Sequence, residues 1–389
     1  MHQGEGKSRE LRLCISADDE IRPVESVLET GRTIYWTGTE GGDFEREFAS
    51  ITIVNHANPV ANGTVALEIA VRALGLPPGS EVVTAPRTFV ATVAAVVSVN
   101  LNTILAYVDP ESGSITVDTV WAAQSTESVA GRAVHLGGWP AEVAGLHALR
   151  DAATLALIEH CCRADGARVG GRHVGTFGDL ATWSFCQDRI ITTGGEVDMT
   201  ATNNEAIGRR VWALKGHSKS SGAVCERGHP PGIFRPHMSP GMSGRKTEMR
   251  VVLGRIQWQE RYRRHRYGRN KPKARAAHTS GIESIALPIQ RSRCEHASYG
   301  LYAYLDELIA PDSRSRDRLV HEVTSAAGMP LYRESCAAIY LERASDAQGD
   351  LDQVDLPVTH QLGEQSISFH VHPELPQKGP DPQSAVSTP

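Results

Sequence analysis

The chain has 389 residues, of which 40% are hydrophobic, so it is long enough to bury one large core and a smaller second one. With 40 basic and 45 acidic residues, the formal net charge of −5 argues against a protein that binds nucleic acid or a membrane surface. No apolar stretch approaches the roughly 20 residues of a membrane-spanning helix. The polar N-terminus and seven cysteines without CxxC spacing predict a cytoplasmic protein with reduced thiols.

Predicted helices and strands alternate from about residue 60 to about residue 200. The helices are predicted at Val65–Leu74, Thr92–Val99 and Val143–Asp151. The strands are predicted at Glu81–Thr84, Ile104–Val108, Ala133–Leu136 and Leu155–Ile158. Repeated strand–helix–strand units predict an α/β fold with a mostly parallel sheet that helices cover on both faces. Ligands of such sheets bind where the strands end.

The remaining chain divides by composition. Residues 261–275 read RYRRHRYGRNKPKAR, which we interpret as a solvated helix face, interrupted by Gly268 and Pro272, rather than a nucleic-acid-binding arm. Strand candidates at Ile339–Leu341 and Ser366–His370 predict a second α+β domain. The predicted organisation is an N-terminal arm (1–20), a large domain (21–260), a small C-terminal domain (261–375) and a disordered tail (376–389).

Two early segments could contact a ligand, one through a phosphate and the other through a flat ring. Ala61-Asn62-Gly63-Thr64 opens a helix, where free amides, a glycine and a hydroxyl favour a phosphate, although the same residues also form an ordinary helix cap. Phe89 follows the Glu81–Thr84 strand and could stack on a flat ring or simply belong to the core.

His160 and Arg163 follow another predicted strand, at the edge where ligands are expected. A single histidine there is often only a hydrogen-bonded structural residue. The neighbouring Cys161 and Cys162 could bind a metal, but no second pair of ligands has suitable spacing, so we predict no metal site.

Two later segments complete the set. A strand that ends at Ser184 is followed by a turn with Arg189 and by Gly194-Gly195, a pattern that predicts an anion site. The loop Gly241-Met242-Ser243-Gly244-Arg245-Lys246 enters a further helix.

Together, in this order and spacing, these segments resemble the DegT/StrS family of pyridoxal-phosphate (PLP) sugar aminotransferases over roughly residues 20–375. Four segments look most like the branch that acts on nucleotide-linked keto-sugars: Tyr35-Trp36-Thr37-Gly38, His135-Leu136-Gly137-Gly138-Trp139-Pro140, Ser184-Phe185-Cys186-Gln187-Asp188 and His372-Pro373. The resemblance implies a fold-type I aminotransferase with a smaller C-terminal domain, and a homodimer that shares its active sites. Carried over by position, it implies cofactor contacts from Gly63, Thr64, Phe89, Ser184, Ser243 and Arg245.

The sequence departs from the family pattern where the chemistry is done. The Schiff-base lysine falls at Arg189, the acidic residue that faces the pyridine nitrogen falls at His160, and a glutamine falls at Arg163. The partner-loop asparagine falls at Ser243. Because a guanidinium stays protonated, it cannot form the imine that transamination needs. Lys215, Lys219 and Lys246 are the lysines that could replace it, and Lys246 is the best placed.

Three functions follow from this pattern. The first is a PLP-independent enzyme that isomerises, eliminates from or cyclises a carbonyl substrate. In this enzyme, Arg163 and Arg189 bind an anion. His160, with a pKa near neutral, is the general acid or base. The second is a keto-sugar aminotransferase or dehydratase that uses PLP or its amine form, PMP. The third is a non-catalytic sensor or partner of an intact paralogue.

Overall fold

The computed structural model describes residues 18–187, 189–219, 237–260, 282–288, 293–297, 300–306, 315–327, 331–333, 338–341 and 355–370. Several sequence features lie outside these ranges: most of the predicted N-terminal arm, the basic run, His372-Pro373 and the predicted C-terminal tail. The predicted domain boundaries stay predictions. In the described part of the chain, no helix combines the length and the apolar character needed to cross a membrane.

A seven-stranded sheet forms the centre of the fold. Its strands are β1 (His56–Val60), β2 (Glu81–Thr84), β3 (Asn102–Leu105), β4 (Ser128–Val134), β5 (Ala156–His160), β8 (Leu180–Ser184) and β9 (Asp198–Thr202), in the spatial order β1-β9-β8-β5-β4-β2-β3. The five strands β3, β2, β4, β5 and β8 run parallel, whereas β9 is antiparallel to both β8 and β1. Asp198, at the start of β9, therefore lies at the edge where the parallel strands end.

Helices cover both faces of this sheet, as the alternating pattern predicts. The helices of the first half are α1 (Asp18–Thr30), α2 (Glu40–Thr52), α3 (Gly63–Leu74), α4 (Ala91–Val97), α5 (Val117–Ala123), α6 (Val143–Ala153) and α7 (Glu205–Leu214). One core joins α3 and α7 to apolar side chains of β2, β4, β5 and β8. A second core joins α5 and α6 to the opposite face of β2, β4 and β5. This arrangement confirms the predicted α/β class.

For most helices and strands, the bounds predicted from local sequence signals are close to the observed bounds. Helix α3 begins at Gly63 because the side chain of Asn62 accepts a hydrogen bond from the Val65 amide at 3.0 Å. Predicted strand Ile104–Val108 lies at Asn102–Leu105, and predicted strand Ala133–Leu136 lies at Ser128–Val134. Both shift toward the N-terminus because pairing with β2 sets their register.

The C-terminal part of the chain forms a separate antiparallel sheet. It has the order β10-β12-β14-β13, from Ile285–Ala286, Gly300–Leu305, Ser366–His370 and Leu331–Arg333. Helices Arg316–Ala327 and Pro357–Gln365 accompany it. Ser366–His370 confirms a predicted strand, but the strand predicted at Ile339–Leu341 is wrong, because this segment is a 3-10 helix. The side chains of Ile339 and Tyr340 are buried against Val93 of α4 and Leu105 of β3.

A small three-stranded sheet connects the region of the central sheet with the C-terminal part of the chain. Strands β6 (Arg168–Val169) and β7 (Arg172–His173) form a hairpin, and β11 (Cys294–Glu295) pairs with β6. The segment that follows β5 therefore contacts a segment more than a hundred residues later in the chain. Residues 248–260 form a further helix, which packs Trp258 against Phe48 of α2 with ring centroids 4.5 Å apart.

Candidate active site

The predicted site residues lie along one edge of the central sheet. His160 ends β5, Ser184 ends β8, and Gly63 begins α3 immediately after β1. Register brings them together, since Ser184 pairs with Asp198, and Asp198 pairs with Val60. This edge is where a parallel sheet offers its ligand site.

His160 is a buried, uncharged side chain. Its Nδ1 lies 3.2 Å from the hydroxyl of Thr92 on α4. Burial and the nearby charges of Arg132, Arg163 and Arg189 lower the pKa of His160 to about 3. The expectation of a pKa near neutral is therefore wrong, because that value applies to a histidine in water and not to one enclosed among cations. At physiological pH, His160 is a neutral hydrogen-bonding group.

Arg132 is a site residue that the sequence interpretation missed. It lies in the middle of β4, is 0% exposed, and donates from Nη1 to the main-chain oxygen of Thr92. Burial lowers the pKa of Arg132 to about 10, so the guanidinium still carries its charge at neutral pH. The signal in the sequence was an arginine within the mostly apolar segment Ser128–Val134. The prediction began this strand at Ala133 and so left Arg132 just outside it.

Arg163 and Arg189 follow β5 and β8, the strands that end at the edge where His160 lies. Arg163 follows β5 and donates from Nη1 to the hydroxyl of Tyr302 at 2.6 Å, which ties this loop to the C-terminal sheet. The charge of Arg189 lowers the pKa values of His160, Cys162 and Asp198, so its guanidinium is close to all three side chains. The Cys162 thiol stays protonated, because burial raises its pKa far above the usual range.

The segment predicted to bind phosphate faces a carboxyl group. Thr64 is exposed and Ser184 is half-buried. The Asp198 Oδ1 accepts a hydrogen bond from the Phe185 amide at 3.2 Å, and the Ser184 hydroxyl lies beside the same carboxyl. A Cβ atom placed on Gly63 would lie 2.7 Å from the Asp198 Oδ2, so this carboxyl packs directly over the start of α3.

Asp198 is the group of this site that titrates near neutral pH. It is 0% exposed, and burial raises its pKa to about 8 against the lowering effects of Ser184, Phe185 and Arg189. Its Oδ2 has no hydrogen-bond partner among the described residues. In the sequence, Asp198 follows the Gly194-Gly195 segment, where no local pattern gave a reason to expect an acid or base.

The other predicted cofactor contacts lie farther toward solvent. Phe89 is 54% exposed, so it is not a core aromatic. Ser243 is exposed and forms a β-bridge with Gly216. The guanidinium of Arg245 lies 5.3 Å from the ring centroid of Trp36 in the same chain. Its predicted contact with a neighbouring subunit stays a prediction.

The three lysines considered as replacements differ sharply. Lys215 forms an ion pair with Glu45 at 2.5 Å, and Lys219 lies 5.5 Å from the Trp36 ring centroid. Lys246 is buried, its Nζ lies 5.2 Å from the Phe44 ring centroid, and this nitrogen has no hydrogen-bond partner among the described residues. Burial lowers the pKa of Lys246 well below its usual value, which favours a neutral amine.

One buried cluster has metal-ligand chemistry but is already hydrogen-bonded. His135, Glu159 and Cys161 offer ligand atoms within 4.8 Å of one another. The carboxylate of Glu159 accepts three amides, from Gly175, Phe177 and Gly178, and contacts the His135 Nε2 at 3.2 Å. The Ala141 amide donates to the other ring nitrogen of His135. These bonds explain the cluster as support for the loop after β5.

The fold, together with the site at the edge of the central sheet, defines the class of protein. The parallel sheet with a smaller C-terminal sheet is the fold-type I aminotransferase architecture that solved neighbours share. A crystal structure of an aminotransferase from Psychrobacter cryohalolentis superposes with a TM-score of 0.90 at 38% identity, covering 93% of this chain and 94% of that one. The chain belongs to the DegT/DnrJ/EryC1/StrS aminotransferase family, whose model matches residues 15–381.

Curated relatives include a nucleotide-sugar aminotransferase and a perosamine synthase. The UDP-N-acetyl-3-dehydro-alpha-D-glucosamine 3-aminotransferase of Acidithiobacillus ferrooxidans is 28% identical over 92% of this chain and 90% of its own length. The GDP-perosamine synthase of Vibrio cholerae is 37% identical, over 48% of this chain. That match spans only 52% of the Vibrio protein. The comparisons therefore confirm the family and an enzymatic class. A solved neighbour from Bacillus subtilis, at 19% identity, contains bound PMP.

Proposed function

We propose that this chain is a sugar-aminotransferase-fold enzyme that moves a proton next to the carbonyl group of a keto-sugar or related substrate without forming an imine at position 189. The reaction classes are isomerisation, elimination and cyclisation. The observation that carries the proposal is the position of Arg189 among His160, Cys162 and Asp198, where the family pattern calls for a lysine. A guanidinium is a poor nucleophile because it remains charged.

The residues present do not fit PLP as an electron sink. That role needs a protonated pyridine nitrogen opposite an acidic side chain. His160 is neutral, and the charges of Arg132, Arg163 and Arg189 around it would repel a pyridinium. At the other end, the Asp198 carboxyl packs over Gly63, in the space expected for the cofactor phosphate. No step of the proposed reaction therefore passes through PLP.

Asp198 takes the acid–base role that the sequence assigned to His160. A pKa of about 8 lets the carboxyl be protonated or ionised within the physiological range, which is the condition for efficient proton transfer. Its free Oδ2 is the atom that would take or give the proton. Arg163 and Arg189 would hold an anionic group of the substrate, and neutral His160 would orient it through a hydrogen bond.

Deuterium exchange tests this proposal directly. Purified protein is incubated in D2O, without added PLP, with a nucleotide-linked keto-sugar, and exchange at the carbon next to the carbonyl is followed by proton NMR. We expect the rate of exchange to rise with pH until about pH 8, in line with the pKa of Asp198. We also expect Asp198→Asn to abolish the exchange. Asp118→Asn, at an exposed carboxylate of α5, is the control. Exchange that persists in Asp198→Asn contradicts the assigned role.

A second candidate function follows from Lys246. Its buried amine, favoured in the neutral form, is a suitable nucleophile for a carbonyl group, so the chain could use PLP or PMP as a keto-sugar aminotransferase or dehydratase. Borohydride reduction after incubation with PLP distinguishes the two candidates by peptide mass. A pyridoxyl group on Lys246 supports this second candidate, whereas an unmodified chain supports the first.

The assembly follows from the family resemblance. We propose a homodimer in the cytoplasm, with the loop around Ser243 and Arg245 next to the neighbouring subunit. A non-catalytic role beside an intact paralogue has no specific support from the site. Size-exclusion chromatography with light scattering tests the dimer.

A further inference from the structure

Arg132 is a buried cation that the described residues do not neutralise. Its side chain is fully buried in β4, and only Nη1 has a partner, the Thr92 main-chain oxygen. Nε and Nη2 have no hydrogen-bond partner among the described residues. The ionisable group that would raise the pKa of Arg132 is the Cys162 thiol, but this thiol stays protonated and so supplies no negative charge. A buried charge with unused donors is costly, and an opposite charge relieves that cost.

Two further guanidinium groups approach the same place from other loops. Arg163 follows β5 and Arg189 follows β8, and both act with Arg132 on His160. Arg163 is held in position by the Tyr302 hydroxyl. Arg163 and Arg189 are partly exposed, whereas Arg132 is fully buried. Like charges gather in this way only at a cost, which an anion between them would remove.

The chemistry of the cluster selects the ligand. A guanidinium presents its donors in a planar fork that matches carboxylate and phosphate oxygens. His160 adds a neutral ring that Thr92 holds by a hydrogen bond. A neutral sugar hydroxyl would leave the charge of Arg132 without compensation, and a cationic group would be repelled.

We propose that Arg132, with Arg163 and Arg189, forms an anion-binding site at the end of β5 that takes a carboxylate or phosphate group, with Arg132 as its buried member. That this anion belongs to the substrate rests on the function proposed above. The binding of a simple anion does not, and it can be measured without any substrate.

The test compares Arg132→Met with Arg150→Met. Methionine keeps the length of the side chain and removes its charge. Arg150 lies on α6, where it pairs with Asp151 at 2.7 Å, and is not part of the cluster. Binding of inorganic phosphate and of oxalate is measured by isothermal titration calorimetry at constant ionic strength. The two probes distinguish a phosphate site from a carboxylate site.

We expect the wild-type protein and Arg150→Met to bind one of the two anions with equal affinity. Arg132→Met should bind it at least about tenfold more weakly, because a charge-assisted hydrogen bond is lost. Without anion, Arg132→Met should melt no lower than the wild-type protein, because an uncompensated charge has been removed. A wild-type protein that binds neither anion, or equal binding by Arg132→Met, overturns the proposal.

Arg163→Met provides a second measurement should Arg132→Met fail to fold. Arg163 is partly exposed, so its replacement removes a cation without emptying the core. We expect weaker binding of the same anion, and unchanged binding overturns the proposal. Anion binding that depends on Arg132, together with no proton exchange in a keto-sugar, leaves this site intact and refutes the proposed function alone.

Discussion

Replacing Asp198 with asparagine should stabilise the protein, and the gain should grow with pH. In the folded state the pKa of Asp198 is about 8, against an ordinary value of 3.8. Between these two values the folded protein holds a proton that the unfolded chain releases. Stability therefore falls as the pH rises from about 4 to about 8, and the full cost applies above pH 8.

The magnitude follows from the two pKa values. Their difference corresponds to roughly 6 kcal/mol, since one pKa unit is about 1.36 kcal/mol at 25 °C. An asparagine has nearly the same shape and can still accept the Phe185 amide, but it has no charge to bury. Relative to the wild-type protein, Asp198→Asn should gain little at pH 4 and approach this value at pH 9.

Urea-induced unfolding at pH 4, 6, 7 and 9 measures the difference in the free energy of unfolding. The control is Asp118→Asn, whose carboxyl is exposed, so it should not reproduce the gain at high pH that is expected of Asp198→Asn. The reasoning is refuted if the difference for Asp198→Asn is the same at every pH. It is also refuted if that difference grows toward low pH, because the sign would then be that of a stabilised carboxylate.

Three other substitutions test the remaining contacts. Lys246→Met should raise the midpoint of thermal unfolding at pH 7, because it removes a buried amine that has no hydrogen-bond partner in the described residues. This gain should shrink as the pH rises toward 10.5, where the unfolded lysine also loses its proton. Glu159→Gln should destabilise the protein by roughly 3 kcal/mol or more, because its NH2 group would face amide donors that now bind a carboxylate oxygen. Gly63→Ala should cost about 1–3 kcal/mol, since its Cβ would lie 2.7 Å from the Asp198 Oδ2.

Each of these has a matched control. Lys219→Met removes a lysine whose Nζ lies 5.5 Å from the Trp36 ring centroid, and it should not reproduce the stabilisation expected for Lys246→Met. Glu127→Gln changes an exposed glutamate and should leave the urea midpoint unchanged. Gly63→Ala should be less harmful in an Asp198→Ala background, where the clashing oxygen is absent. If the effects of Gly63→Ala and Asp198→Ala on stability are additive, the proposed contact between the two positions is contradicted.

The amino-acid sequence by itself determined the elements and the edge at which the site lies. The helix after Asn62 and the strand at Glu81–Thr84 follow from caps and apolar runs that operate within a few residues. His160, Ser184 and Gly63 follow or end such elements, so their common edge could be predicted from the alternation of strands and helices. The family resemblance depended on the same local motifs, and the family match confirms it.

Only the tertiary structure decided how the site is charged. Arg132 and Asp198 reach the site from the middle of β4 and the first residue of β9, positions whose side chains point to the site only once the strands are in register. The pKa of His160 fell to about 3 because burial and three arginines from separate segments act on it together. The 3-10 helix at Ile339–Leu341 likewise replaced a predicted strand where the segment packs against the large sheet. Charge, burial and register depend on neighbours distant in the chain, which no local pattern contains.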